Sequence, residues 1–174
     1  MRTANHQTAV HQTVDAKTIH FQISGLDPSA FEGLFALGPD ELKSRDARRV
    51  EVTAKPGFPC RVSLQDAEPG ETVILFTHTH HDVDSPYRAS GPIYVRQGVP
   101  AARLTPDELP AVVAGRKMSL RAYSAKGMMR SAAVCDGEEM ADEIRRLFAD
   151  PKVAYLHAHN ALPGCFSCRI DRAG

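Results

Sequence analysis

The sequence lacks the features that mark membrane-spanning and polyanion-binding proteins. Its longest unbroken apolar runs are four residues, such as Val73 to Phe76, whereas a membrane-spanning helix needs about 18 or more. It has no excess of one charge, since Lys plus Arg and Asp plus Glu both number 21. Without a net positive field, the main support for binding nucleic acid or an anionic membrane is missing. We therefore expect neither as a partner.

The first residues also lack the apolar stretch of a secretory signal, because the chain begins Met-Arg-Thr-Ala-Asn-His-Gln-Thr. This start favours the reducing cytoplasm over an oxidising compartment. We accordingly expect the four cysteines, Cys60, Cys135, Cys165 and Cys168, to be free thiols.

What the sequence does contain is enough for one domain. A chain of 174 residues with 43% hydrophobic residues can bury a core without disulfides or structural metals. Residues 1–18 hold two copies of His-Gln-Thr and few apolar residues. We predict that they form a flexible N-terminal arm in front of a single globular domain at 19–174.

Predicted strands outnumber predicted helices and do not alternate with them regularly. This order disfavours a parallel doubly wound sheet. We predict an α+β fold with a mainly antiparallel, barrel-like sheet and two to four short helices. Strands are expected at 19–24, 50–54, 60–65, 73–80, 92–96, 120–124, 128–135, 153–159 and 165–170, and helices at 29–37, 137–149 and from Thr105 to Gly115.

A histidine-rich segment follows the apolar run at 73–76. On an extended backbone, His78, His80, Asp82 and Asp84 project to one side, with neighbouring residues about 6.6 Å apart. Imidazole and carboxylate groups at this spacing suit a divalent transition metal such as zinc, iron or manganese. The alternative is a polar strand end that faces solvent.

Two known metal-binding patterns only partly match this segment. His-x-His-x-Asp resembles the metallo-β-lactamase signature, but Val83 stands where those proteins carry a further His. The spacing from His78 and His80 through Asp84 to Gly91 is similar to the first cupin motif, but no second cupin motif follows. The match is therefore limited to the local ligand pattern.

A second His-x-His pair lies in a predicted C-terminal hairpin. His157 and His159 share a face of its first strand, and Asn160, Pro163 and Gly164 supply the turn. If this strand lies beside the His78 strand, the two pairs form one metal centre of four imidazoles, or of three with Asp82. The alternative is that one pair faces water while the other is hydrogen-bonded in the core.

Cys165 is a candidate nucleophile at the end of the same hairpin. A neighbouring imidazole of His157 or His159 can stabilise its thiolate. The alternative is a structural thiol. We do not expect Cys165 to act with Cys168, because residues three apart on a strand point to opposite faces.

Several motifs taken together resemble those of a bacterial family called domain of unknown function 1203 (DUF1203). The resemblance covers roughly residues 19–172 and implies one domain in a bacterial cytoplasmic protein, with no established activity. The motifs are Phe58-Pro59-Cys60-Arg61, Pro69-Gly70-Glu71, Ser85-Pro86-Tyr87-Arg88, Gly91-Pro92-Ile93-Tyr94-Val95, and His157-Ala158-His159-Asn160-Ala161 with Gly164-Cys165-Phe166.

These motifs contain donors that can hold a carboxylate or a phosphate. The candidate ligand-binding residues are Arg61, Tyr87, Arg88 and Asn160. Our leading hypothesis is a small-ligand site for an anionic molecule near the hairpin, with His157 or Cys165 acting on the ligand and a metal assisting. It makes the protein a candidate enzyme without a reaction class. The alternative is a non-catalytic binding or interaction module that needs no metal.

Overall fold

The structure is a computed structural model that describes residues 19–174. It has eight strands in two antiparallel sheets and three α-helices within this range, so the predicted α+β class is confirmed. The sheets do not close into a barrel, and that part of the prediction is wrong. The end strands of the larger sheet pair with only one neighbour each, which leaves the sheet open. The predicted arm at 1–18 lies outside the described residues.

The larger sheet contains five strands, β1 (Phe21–Ser24), β5 (Lys117–Tyr123), β6 (Met129–Asp136), β7 (Tyr155–Asn160) and β8 (Phe166–Arg172). Their order in the sheet is β1-β8-β7-β5-β6. The central strand β7 is covered on both faces, since every one of its residues is buried.

The smaller sheet contains three strands, β2 (Ala47–Glu51), β3 (Thr72–His81) and β4 (Ala89–Arg96), paired in that order. The short helices α1 (Glu32–Phe35) and α2 (Pro39–Lys43) precede them. One face of β3 packs Ile74 and Phe76 against a core that includes Phe31 and Ile93.

One face of the larger sheet is covered by helix α3 (Met140–Phe148), which follows a 3-10 turn at Gly137–Glu139. Its apolar stripe of Met140, Ile144 and Leu147 is buried against the side chains of alternate residues on β5 and β7. The opposite face of the larger sheet is not covered by α3. It carries the histidines of β7.

Two predicted elements are replaced by turns. Residues 60–65 form a turn instead of a strand, with a backbone bridge between Pro59 and Asp66 and a positive φ at Leu64. The helix predicted from Thr105 is reduced to a 3-10 turn at Ala111–Val113. Pro110 lacks an N–H and disfavours helical geometry in the residue before it, which explains the interruption.

A β-bulge interrupts the end of β3. Thr79 pairs with Ser90 and His81 pairs with Ala89, so His80 has no partner residue on β4. A bulge breaks the strict alternation of side chains and lets two consecutive residues project toward one side.

Within residues 19–174, no helix has both the length and the apolar character needed to cross a membrane.

Candidate functional site

Four histidines from the two sheets meet at the uncovered face of the larger sheet. We call His80, His81, His157 and His159 the histidine cluster. The ring centroid of His80 lies 6.1 Å from that of His157 and 5.2 Å from that of His159. The ring centroids of His81 and His157 are 5.0 Å apart. Of the first His-x-His pair, His80 therefore lies beside both histidines of the second pair.

Strand alternation places the two C-terminal histidines. On β7, Leu156 and Ala158 enter the core beneath α3, so His157 and His159 project from the opposite face. Phe166 on β8 pairs with His159 and is buried among the rings. Its ring stacks on His80 with 4.9 Å between centroids and 13° between planes.

The bulge in β3 positions the other two histidines of the cluster, His80 and His81. On a regular strand, His80 and His81 would point to opposite faces. Here both contact β7, since the ring of each lies beside that of His157. The bulge therefore brings a second imidazole into the cluster.

Hydrogen bonds to main-chain carbonyls fix the proton positions of two rings. Nδ1 of His159 lies 3.0 Å from the carbonyl oxygen of Gly164, and Nδ1 of His81 lies 2.7 Å from that of Tyr87. A carbonyl oxygen only accepts, so each Nδ1 carries the proton and each Nε2 keeps its lone pair. The hydroxyl of Tyr155 donates to Nε2 of His81 across 2.8 Å. Nε2 of His159 has no hydrogen-bond partner among the described residues.

Other cluster nitrogens are buried without partners as well. Neither nitrogen of His80 forms a hydrogen bond with the described residues, and the same holds for Nδ1 of His157. Burial lowers the pKa of His80 and of His159 to about 4 and that of His157 to about 2, with smaller contributions from nearby basic groups. These three rings are therefore neutral at pH 7, and each neutral ring has one nitrogen with a free lone pair.

The cluster differs from the predicted metal set at two positions. His78 lies on the same strand as His80, but its ring contacts Phe31 and Phe76 of the smaller sheet's core. Asp82 follows the end of β3, is exposed, and forms an ion pair with Arg88 at 2.8 Å. The extended backbone on which Asp82 would share a face with the histidines ends at His81, so Asp82 lies outside the cluster, and its role as a metal ligand stays a prediction.

The four predicted ligand-binding residues divide between two environments. Arg61 is 2% exposed and donates to the carbonyl oxygens of Pro59 and Phe166. Asn160 is also buried, and its Oδ1 has no partner among the described residues. Tyr87 and Arg88 are exposed in the loop after β3. The role of these four residues stays a prediction, and only the first two are buried groups beside the hairpin.

Cys165 does not form the predicted pair with an imidazole in this structure. Its Sγ is directed at the carbonyl oxygen of Pro163, 3.8 Å away, and no hydrogen bond joins it to His157 or His159. All four cysteines are free thiols, as expected. Cys168 is buried, and burial raises the pKa of its thiol to about 12.

No three His, Cys, Asp or Glu side chains in the described part of the chain are arranged, as they stand, to hold a metal ion. In the cluster, the ring of His80 is stacked on Phe166. Its contacts to the neighbouring imidazoles are edge contacts, at interplanar angles of 62° and 75°. Coordination would therefore require side-chain rotation.

Sequence reasoning missed several residues of this site. His81 was overlooked because it falls outside the alternation that includes His78 and His80. Tyr155 had a usable signal, since it continues the alternating face of His157 and His159. Tyr123 and Arg121 lie on β5, opposite Tyr155 and His157, and only the strand pairing reveals that neighbourhood.

The fold and the site define an α+β protein with a histidine cluster, three of its four members buried, between two antiparallel sheets. A family model described as protein of unknown function (DUF1203) matches residues 57–172, and the chain belongs to this family. The matched range contains every residue of the histidine cluster. No curated protein and no solved structure matches the chain.

Proposed function

We propose that the protein binds one divalent transition metal ion through His80, His157 and His159, and that this ion forms the centre of a small-ligand site. The observation that carries the proposal is the group of buried nitrogens on three neighbouring imidazoles that have no hydrogen-bond partner among residues 19–174. A buried polar atom without a partner costs about 1–3 kcal/mol. An occupant that accepts lone pairs would remove this cost.

The spacing of the rings favours an ion over an organic molecule at the centre. Ring centroids of His80, His157 and His159 are 5.2 to 6.3 Å apart, a spacing compatible with imidazoles that share one tetrahedral ion at metal–nitrogen distances of about 2.0–2.1 Å. Neutral imidazole is the protonation state that binds metals. The low pKa values of these rings keep them in that state at pH 7.

The neighbouring groups also suit metal ligation. Nδ1 of His159 donates to the Gly164 carbonyl and so directs the lone pair of Nε2 away from the hairpin turn. Such outer hydrogen bonds are typical of metal-binding histidines. Neither nitrogen of His80 is hydrogen-bonded to a described residue, so rotation of its ring toward the ion breaks no hydrogen bond within residues 19–174. With Asp82 outside the cluster, three imidazoles favour zinc or iron over manganese.

A three-histidine site leaves a coordination position open, which is the arrangement of catalytic rather than structural zinc sites. The metal would supply Lewis acidity to a ligand bound there. The chain's own residues would exclude water, through Phe166 and Tyr123, and hold His81 in one tautomer beside the site.

The test is metal content of protein purified without a His tag, measured by elemental analysis after gel filtration. We expect close to one zinc or iron per chain in the wild type, and a large loss in His80→Gln and His159→Gln. His78→Gln is the matched control, because His78 is on the same strand but packs in the other core. It should retain the metal.

Circular dichroism must show that each variant is folded. Metal that is substoichiometric and washes off the wild type would contradict the proposal, and so would an equal loss in His78→Gln. Either result would favour the non-catalytic binding module.

A further inference from the structure

We propose that the ligand of this site is a small oxyanion, a carboxylate or a phosphate, whose charge is neutralised by Arg121 with support from Arg61. The inference rests on the metal site proposed above. Its basis is the charge of the surroundings, which is positive and lacks a neutralising acid in the described structure.

Arg121 reaches the cluster from the neighbouring strand. It is the partner of His157 in the β5–β7 ladder, so the two side chains project from the same face of the sheet. The residues on either side of it, Leu120 and Ala122, enter the core beneath α3. Arg121 is half-buried, and no carboxylate within 4 Å pairs with it among residues 19–174.

Arg61 brings a second positive charge to the same region. Arg61 is 2% exposed, and its side chain donates to two main-chain carbonyls, one of them that of Phe166. No ion pair in the described part of the chain includes it. A buried charge without an opposite charge is costly. An anion held nearby would offset that cost.

Ion pairs in the described structure leave two of the nearby charges unbalanced. The arginines whose charge lowers the pKa values of the cluster histidines are Arg61, Arg121 and Arg169. Within residues 19–174, only Arg169 of these three has a carboxylate partner, Asp171. Three neutral imidazoles would leave both charges of a divalent ion uncompensated. A negatively charged ligand would therefore gain the most electrostatic stabilisation in this site. The oxygens of a carboxylate or a phosphate can accept hydrogen bonds from a guanidinium and can also coordinate a metal ion.

The experiment uses cobalt(II)-loaded protein, whose visible spectrum reports changes at the metal. Sodium acetate, inorganic phosphate and the uncharged analogue acetamide are titrated separately. We expect spectral saturation with acetate, phosphate or both, and no response to acetamide. Acetate alone would assign a carboxylate ligand, and phosphate alone a phosphate ligand.

Arg121→Gln should weaken the anion affinity about tenfold while cobalt affinity stays within about twofold. Arg48→Gln is the matched control, an exposed arginine on β2 far in sequence from the cluster, and it should behave as the wild type. An equal response to acetamide, or unchanged anion affinity in Arg121→Gln, would overturn the oxyanion inference and leave the metal site standing.

A second arm separates the two proposals. The same anions are added to metal-free protein in a thermal-unfolding assay. Stabilisation by acetate or phosphate that Arg121→Gln abolishes would support the oxyanion site even if cobalt does not bind. Absence of both cobalt binding and anion stabilisation would overturn the two proposals together.

Discussion

The hydroxyl of Tyr155 donates to Nε2 of His81 across 2.8 Å, and both side chains are buried. Tyr155 belongs to the larger sheet and His81 to the smaller one, so this hydrogen bond joins the two sheets at the site. Because Nδ1 of His81 donates to the Tyr87 carbonyl, both nitrogens of this ring are satisfied. His81 is thus the one member of the cluster whose polar atoms are all paired within the described structure.

Tyr155→Phe should destabilise the protein by about 1–3 kcal/mol, since it leaves Nε2 of His81 buried without a donor. The free energy of unfolding can be measured by urea denaturation at pH 7.5. Tyr87→Phe is the control, because it keeps the carbonyl that His81 uses and removes an exposed ring's hydroxyl. It should change stability by less than about 0.5 kcal/mol. Equal effects of the two substitutions would contradict the assigned hydrogen bond.

Thiol labelling should distinguish Cys165 from the other cysteines. Cys165 is partly exposed, whereas Cys60, Cys135 and Cys168 are buried. A thiol reagent added to folded protein at pH 7.5 should therefore modify one thiol quickly and three only on unfolding. Cys165→Ser should remove the fast phase. Two or more fast thiols in the wild type would argue against this burial pattern.

Metal-free protein should lose stability as the pH falls from about 6.5 toward about 4. The pKa values of His80, His157 and His159 are lowered in the folded protein, to between about 2 and about 4, from 6.5. Between these limits the unfolded chain binds protons that the folded protein does not, so the free energy of unfolding decreases with falling pH. For each fully buried ring the slope can reach about 1.4 kcal/mol per pH unit.

Urea denaturation at pH 7.5, 6 and 5 after chelator treatment measures this slope. The range stays above the titration of ordinary carboxylates, which would add their own effect at lower pH. His159→Gln should flatten the dependence, because the variant lacks one of the titrating rings. A stability that is constant or increases from pH 7.5 to pH 5 would show that these rings are not buried as neutral groups.

Local sequence patterns predicted the regular elements near the site. Alternation predicted strands within a few residues of β3, β7 and β8, and the apolar stripe of Met140, Ile144 and Leu147 is consistent with the helix predicted at 137–149. The failures occurred where contacts distant in sequence decide the backbone. The segment at 60–65 has a strand-like composition but forms a turn. Its main chain is hydrogen-bonded to three distant residues, Leu26, Tyr94 and Ala102, and Cys60 forms a backbone bridge with Tyr94.

The candidate site was also predictable only in part, because local patterns identify candidate histidines but not the contacts that bring them together. Two His-x-His pairs at strand ends indicated four candidate imidazoles, and three of these four rings belong to the cluster or its proposed metal site. His78 was indistinguishable from His80 by spacing, because the choice depends on where the core around Phe31 ends. The position of His81 in the cluster depends on the bulge in β3. A bulge is defined by pairing with the neighbouring strand, so the sequence of β3 alone does not reveal it.

Because His80 has no partner residue on β4, the site depends on the number of residues in β3 as well as on their identity. Deleting one residue at 79–81 would remove the bulge and give β3 and β4 a regular register. Only one imidazole would then project toward β7, where two project now. Pairing with β4 would survive such a loss while the cluster would not. Among relatives, a change of length at this point therefore separates proteins that can form the cluster from those that cannot, even where every histidine is retained.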